Sequence, residues 1–226
     1  SHGSTISTLP VSGLRFPHGA ITDAVGNFYV ADTDNNCVKK LTPSGVTSLF
    51  AGTCAGGFSG DGGPATSAQL NGPYGLAFDS GGNLFIADRL NRRIRKVAVN
   101  GTISTFAGDG TTGFSGDGGS ATAAKLGDPV GLVVDSSDRV YVADLSNQRV
   151  RRVANGIIET FAGTGTAGFA GDGGPALSAQ FNQPAFLAID VANNLFVADR
   201  LNNAIRKVSA SGIVSTAMGV NYPDGV

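Results

Sequence analysis

Long hydrophobic runs are missing from this sequence of 226 residues. No stretch approaches the roughly 18 apolar residues that a membrane-crossing helix needs. No secretory leader is visible either. A basic excess is absent too. The net charge is −1, which argues against a chain that grips nucleic acid through its phosphates unless a local basic patch does so. Histidine is scarce. His2 reads with Ser1 and Gly3 as the remnant of a tag, which leaves His18 alone for any nucleophile–histidine pair. There is one glutamate, Glu159, and there are two cysteines, Cys37 and Cys54.

Glycine is abundant, at 34 residues, against a charged fraction of 15%. That balance belongs to a chain of many tight turns and many short strands. The turns recur in phase. Ala-Asp ends at Asp32, Asp88, Asp144 and Asp199, a period of 55 or 56 residues. An Asn follows three positions later, at Asn35, Asn91, Asn147 and Asn202, and a Pro keeps the register at Pro17, Pro73, Pro129 and Pro184. Between landmarks lie short apolar runs such as Leu84-Phe85-Ile86-Ala87, and hairpin turns such as Asn100-Gly101. Each unit therefore predicts four antiparallel strands, a propeller blade buried on both faces. The expected blades cover 14–54, 71–110, 127–165 and 182–219. Residues 5–9 copy a fourth strand and 222–226 copy the start of a repeat, so the chain reads as a piece of a longer array.

Three insertions separate the units: Gly57–Thr66, Gly113–Thr122 and Gly168–Leu177. Residues 64–70 predict two turns of helix with Pro64 at the first helical position. Asp61, Asp117 and Asp172 sit in their Gly-Asp-Gly-Gly turns. They read as caps of those helices, with calcium binding as the weaker alternative.

The pattern Pro-Tyr-Gly-Leu-Ala-Phe-Asp followed by residues 83–97 resembles the NHL repeat. The insertion is similar to that of secreted bacterial NHL arrays and of the teneurin NHL domain. The resemblance implies an all-β propeller, most often six-bladed, in a family whose members bind protein, bind RNA or act as enzymes. Propeller lactonases hold a metal with Glu, Asn and Asp, and amidating lyases use several His. Glu159 on an outer strand and His18 alone fit neither, so a lactonase-like metal hydrolase stands as the alternative reading. The leading one is a binding scaffold for protein or glycan that needs no cofactor, and a purely structural repeat module that self-assembles is the further alternative.

The Asp…Asn pairs, present in every unit, read as turn structure. Two Gly-x-Gly-x-x-Gly matches, 108–113 and 163–168, lack a following βαβ unit and read as loop glycines. Asp32-x-Asp34-x-Asn36 begins like a calcium loop but lacks its Gly and its closing Glu. The basic pairs on the third strands, such as Arg95-Lys96, read as long stems between blades with heads in solvent or on Asp. Cys37 and Cys54 stand where other units have Arg93 and Gly110. They are a disulfide candidate across the third and fourth strands, which would imply an oxidising, extracytoplasmic compartment. The residue after each repeat Pro varies: His18, Tyr74, Val130 and Ala185, with Phe186 replacing a repeat Gly. His18, Tyr74, Val130 and Phe186 are the expected ligand site at the channel mouth. Phe58, Phe114 and Phe169 either join it or anchor their own loops. Self-association to complete a ring is a further expectation, because a partial ring exposes apolar faces.

Overall fold

The computed structural model describes residues 11–219. The partial strands expected over 5–9 and 222–226 lie outside them. Blade 1 is β1 (Ala20–Thr22), β2 (Phe28–Asp32), β3 (Cys37–Leu41) and β4 (Thr47–Ala51). Blade 2 is β5 (Pro73–Phe78), β6 (Leu84–Asp88), β7 (Arg93–Val97) and β8 (Ile103–Ala107). A short β9 (Gly119–Ser120) precedes blade 3, which is β10 (Pro129–Val134), β11 (Val140–Asp144), β12 (Arg149–Ala154) and β13 (Ile157–Ala162). Blade 4 is β14 (Pro184–Ile189), β15 (Leu195–Asp199), β16 (Ala204–Val208) and β17 (Val214–Gly219). Neighbours pair antiparallel in chain order, and β9 joins the outer edge of β13.

Side chains along the second strands alternate between the two faces of the sheet, both of them covered in β6 and β11, and so glue successive blades. Ile86 and Leu84 pack into a cluster with Tyr29, Ala31 and Val38 of blade 1. Phe85 and Ala87 point the other way, into a cluster with Leu132, Val140 and Val142 of blade 3. Tyr141 and Val150 then meet Leu195 and Val197 of blade 4. Among the described residues no such cluster joins blade 4 to blade 1, so the four sheets form an open arc.

The inner strands β5, β10 and β14 press on one another around the axis. Glycine makes this possible. A Cβ on Gly75 would lie 2.3 Å from the Val130 carbonyl oxygen, and one on Gly131 would lie 2.3 Å from that of Ala185. At the same place in blade 4, where no further blade packs, stands Phe186, 49% exposed.

Candidate functional site

Each repeat Asp and Asn pins the segment that enters its own blade. Asp88 accepts the Asn71 backbone N–H at 2.7 Å, while the Asn91 amide donates to Asp88 at 2.8 Å and to the Gly57 carbonyl at 2.7 Å. Asp32 with Asn35, Asp144 with Asn147 and Asp199 with Asn202 repeat the arrangement. All four carboxylates are buried. Burial pushes the Asp88 carboxyl up to about 6, against the hydrogen bonds of Asn91, Asn71 and Arg95. Burial raises Asp144 and Asp199 in the same way.

The insertions correct two expectations. Residues 64–70 contain a single 3-10 turn, Ala65–Ser67, with Pro64 extended ahead of it and no side-chain cap. Asp61 does not cap it. It reaches back to the following blade, accepting Arg95 Nη2 at 2.6 Å and the Thr105 hydroxyl at 2.6 Å. Asp117 does the same with Arg151 and Thr160, and Asp172 with Arg206 and Thr216. Both oxygens of each carboxylate are thus engaged by side chains of the scaffold, not arranged as cation ligands.

The Arg heads are not in solvent: Arg95, Arg151 and Arg206 are fully buried. Phe58 and Phe114 lie under them, each 4.8 Å from a guanidinium, and Phe169 at 4.5 Å. The insertion Phe residues therefore anchor their loops. The second member of each pair packs on an aromatic ring, as Lys96 does over Phe85 and Arg152 over Phe161. Glu159 binds Arg152 on the outer edge of blade 3, away from the axis. Cys37 and Cys54 form a disulfide.

The remaining sequence candidates converge. His18, Tyr74, Val130 and Phe186 line one cavity of about 280 Å³ at the end of the inner strands. His18 stacks on Tyr74, ring centroids 4.0 Å apart at 24°, and Tyr74 faces Phe186 at 5.9 Å. The Thr33 hydroxyl donates to the Pro73 carbonyl at 2.8 Å, so its oxygen accepts from His18 Nδ1 at 3.0 Å. That arrangement leaves Nε2 of a neutral His18 as an acceptor.

Three lining residues were not anticipated: Arg89, Leu145 and Arg200. Each directly follows a repeat Asp, and that position varies (Thr33, Arg89, Leu145, Arg200) just as the position after Pro does. This variation was the signal that could have found them. Arg89 forks onto Asp128 with two bonds of 2.9 Å, and Arg92 joins the same carboxylate at 2.8 Å. Two guanidiniums share one carboxylate there. Among the described residues Arg200 reaches only the Gln183 amide oxygen, at 3.2 Å. Burial raises the Tyr74 phenol, opposed by the nearby charges of Arg89 and Arg200. The mouth thus presents stacked rings beside excess positive charge.

Four-stranded sheets set around an axis define the β-propeller. The model of the Teneurin NHL domain matches residues 54–113, and that of the NHL repeat matches 126–153. The two matched segments are similar to NHL repeats, and the same Pro, Asp and Asn landmarks recur in all four blades. The chain is similar to Teneurin-m of Drosophila melanogaster, 32% identical over 142 residues, which are 56% of this chain and 5% of that protein. Among solved structures it superposes on a streptogramin B lyase with a TM-score of 0.62 at 16% identity, covering 92% of this chain and 56% of that one. A putative gluconolactonase gives a TM-score of 0.64 at 16% identity, covering 94% and 66%. At such identities these two likenesses speak for the fold alone.

Proposed function

We propose that the chain is a non-catalytic recognition scaffold that binds a protein or glycan ligand at the channel mouth. One observation carries this reading: the side chains that break the repeat, His18, Tyr74, Arg89, Phe186 and Arg200, meet in one cavity. Positions shared by all blades hold the scaffold, and a cavity lined by positions that differ from blade to blade supports a ligand-specific role. Stacked rings suit a sugar face or an aromatic anchor, and Arg200 supplies a bidentate donor for an acidic group. The disulfide suits an extracytoplasmic setting.

Glycan and peptide arrays probed with the labelled protein test this. A ligand captured by the wild type is expected to bind at least about tenfold more weakly to Phe186→Ala and to Arg200→Ala, both surface changes. Equal capture by both variants would sink the reading. A stoichiometric divalent ion in the purified protein, with hydrolysis lost in His18→Ala, would favour the lactonase-like alternative instead.

Among the described residues the arc also has an uncovered face on blade 4. Phe196, Ala198 and Ile205 of blade 4 are only half-buried, and Met218 is 72% exposed, whereas their counterparts Phe85, Ala87, Ile94 and Ala107 are buried. We propose self-association through this face. It cannot copy the blade-to-blade register, because Phe186 fills the place where glycine admits a neighbouring strand. Sedimentation is expected to show a dimer or larger species at micromolar concentration, shifted to monomer in Met218→Glu. A wild-type monomer would exclude it.

A further inference from the structure

The opposite end of the blades carries a clasp between neighbours. Ser80 of blade 2 donates through its hydroxyl to Asp138 of blade 3 at 2.7 Å, and through its backbone N–H at 2.8 Å. Ser136 repeats the contact with Asn193 of blade 4 at 3.3 Å. Between blades 1 and 2 the same two positions are Ala24 and Gly82, which have no polar side chain to join. There a groove of about 550 Å³ opens, within the size range of small-ligand sites.

Its wall is aromatic. Tyr29 meets Phe50 edge-on at 4.8 Å and Phe78 at 5.1 Å, with Val25 and Val99 at the rim. Lys40 stands in it with its ammonium 5.5 Å from the centre of the Tyr29 ring. Two of its three repeat counterparts are neutralised, Lys96 by Asp79 and Arg152 by Glu159. Lys40 has no carboxylate within 4.0 Å among the described residues. The two carboxylates of the wall are already committed. Asp23 accepts from the Asn27 backbone and side chain and from the Tyr29 hydroxyl. Asp79 accepts from Asn83 and pairs with Lys96. An uncommitted cation beside a cluster of ring edges is complementary to an anion that carries an apolar ring.

We propose that this groove is a binding site for a small aromatic carboxylate, its ring against Phe50 and Phe78 and its carboxylate on Lys40. The site is independent of the channel mouth, so either can fail alone. The test is an NMR titration of the full chain, followed at the backbone amides of Val25, Tyr29, Gly82 and Val99. The probes are 3-phenylpropanoate and its neutral analogue 3-phenylpropanol. Saturable shifts are expected with the acid, and at least about tenfold weaker binding with the alcohol. Lys40→Met is expected to erase that preference. The double variant Ala24→Ser/Gly82→Asp installs the clasp of blades 2 and 3 and is expected to abolish binding. Aspartate is suited to position 82, because Asp138 holds the same left-handed backbone, φ 59°. No saturable shift, equal affinity for acid and alcohol, or unchanged binding in a folded double variant would each overturn the proposal. Should the double variant not fold, Lys40→Met decides.

Discussion

Replacing Arg95 with alanine is expected to destabilise the fold by about 3–5 kcal/mol, the usual loss when one partner of a buried ion pair is removed. For a domain of this size that lowers Tm by about 10 °C. The guanidinium is wholly buried. It bonds Asp61 at 2.6 Å, the Ser59 and Gln69 carbonyls at 3.2 Å each, and Asp88 at 3.4 Å. Its removal leaves the buried Asp88 carboxylate without a cation and leaves a void above Phe58. Asp61→Ala is the contrasting variant. Asp61 is 40% exposed, and Arg95 keeps Asp88 as its partner, so the expected loss is smaller, about 1–2 kcal/mol.

The deficit of Arg95→Ala also depends on pH. The folded Asp88 value of about 6 lies above its ordinary 3.8. Stability linked to this group is therefore present below about pH 4 and lost as pH rises through 6. Without Arg95 one of the influences holding the carboxyl down is gone, so its folded value rises further. Urea titration should then show a larger deficit at pH 8 than at pH 5, where the stranded carboxyl can take up a proton. Equal losses for Arg95→Ala and Asp61→Ala, or a deficit independent of pH, would contradict this account.

The blades were legible because their causes are local and repeated. Strand, turn and Asp…Asn pair each recur within one unit, and apolar runs such as Leu84–Ala87 announce a sheet covered on both faces. The latch was not legible because Asp61 and Arg95 are 34 residues apart. A carboxylate just ahead of Pro-Ala-Thr-Ser-Ala also has an obvious local use as a cap. The helix expectation failed for a related reason. The segment must turn extended at Ala68, φ −81° and ψ 157°, so that Leu70 is buried and the Asn71 N–H reaches Asp88. Helix propensity gives way to those tertiary demands. At the channel mouth, the departures after each Pro were visible, while Arg89 and Arg200 were shadowed by the repeating Asp beside them. The groove near Lys40 was invisible, because Ala24 and Gly82 signify only as missing partners for a clasp known from the other blades.

Reducing the Cys37–Cys54 bond is expected to lower stability by about 3 kcal/mol, the loop-closure value for a separation near its 17 residues. The bond stands in for a contact that the next two blades make without sulfur. Arg93 reaches across from the third strand to the Asp109 carbonyl at 2.6 Å, and Arg149 bonds the Thr164 carbonyl in the same way. Gly110 and Gly165 leave room for those guanidiniums in left-handed backbone, φ 90° and 88°, and Cys54 keeps that conformation at 59°. Cys37→Arg with Cys54→Gly is therefore expected to fold and to recover part of what Cys37→Ser with Cys54→Ser loses. Dithiothreitol should lower the midpoint of the wild type alone. A midpoint unmoved by the reductant, with the free thiols counted, would refute the assignment. Blade 1 needs this tie more than its neighbours do. In place of the buried arginine its third strand carries Lys39, paired with Asp32 at 2.8 Å, and among the described residues no insertion carboxylate reaches Lys39. With that insertion ion pair missing, the covalent bond adds a second tie between the end of β4 and the start of β3, beyond their backbone pairing at Val38 and Ala51.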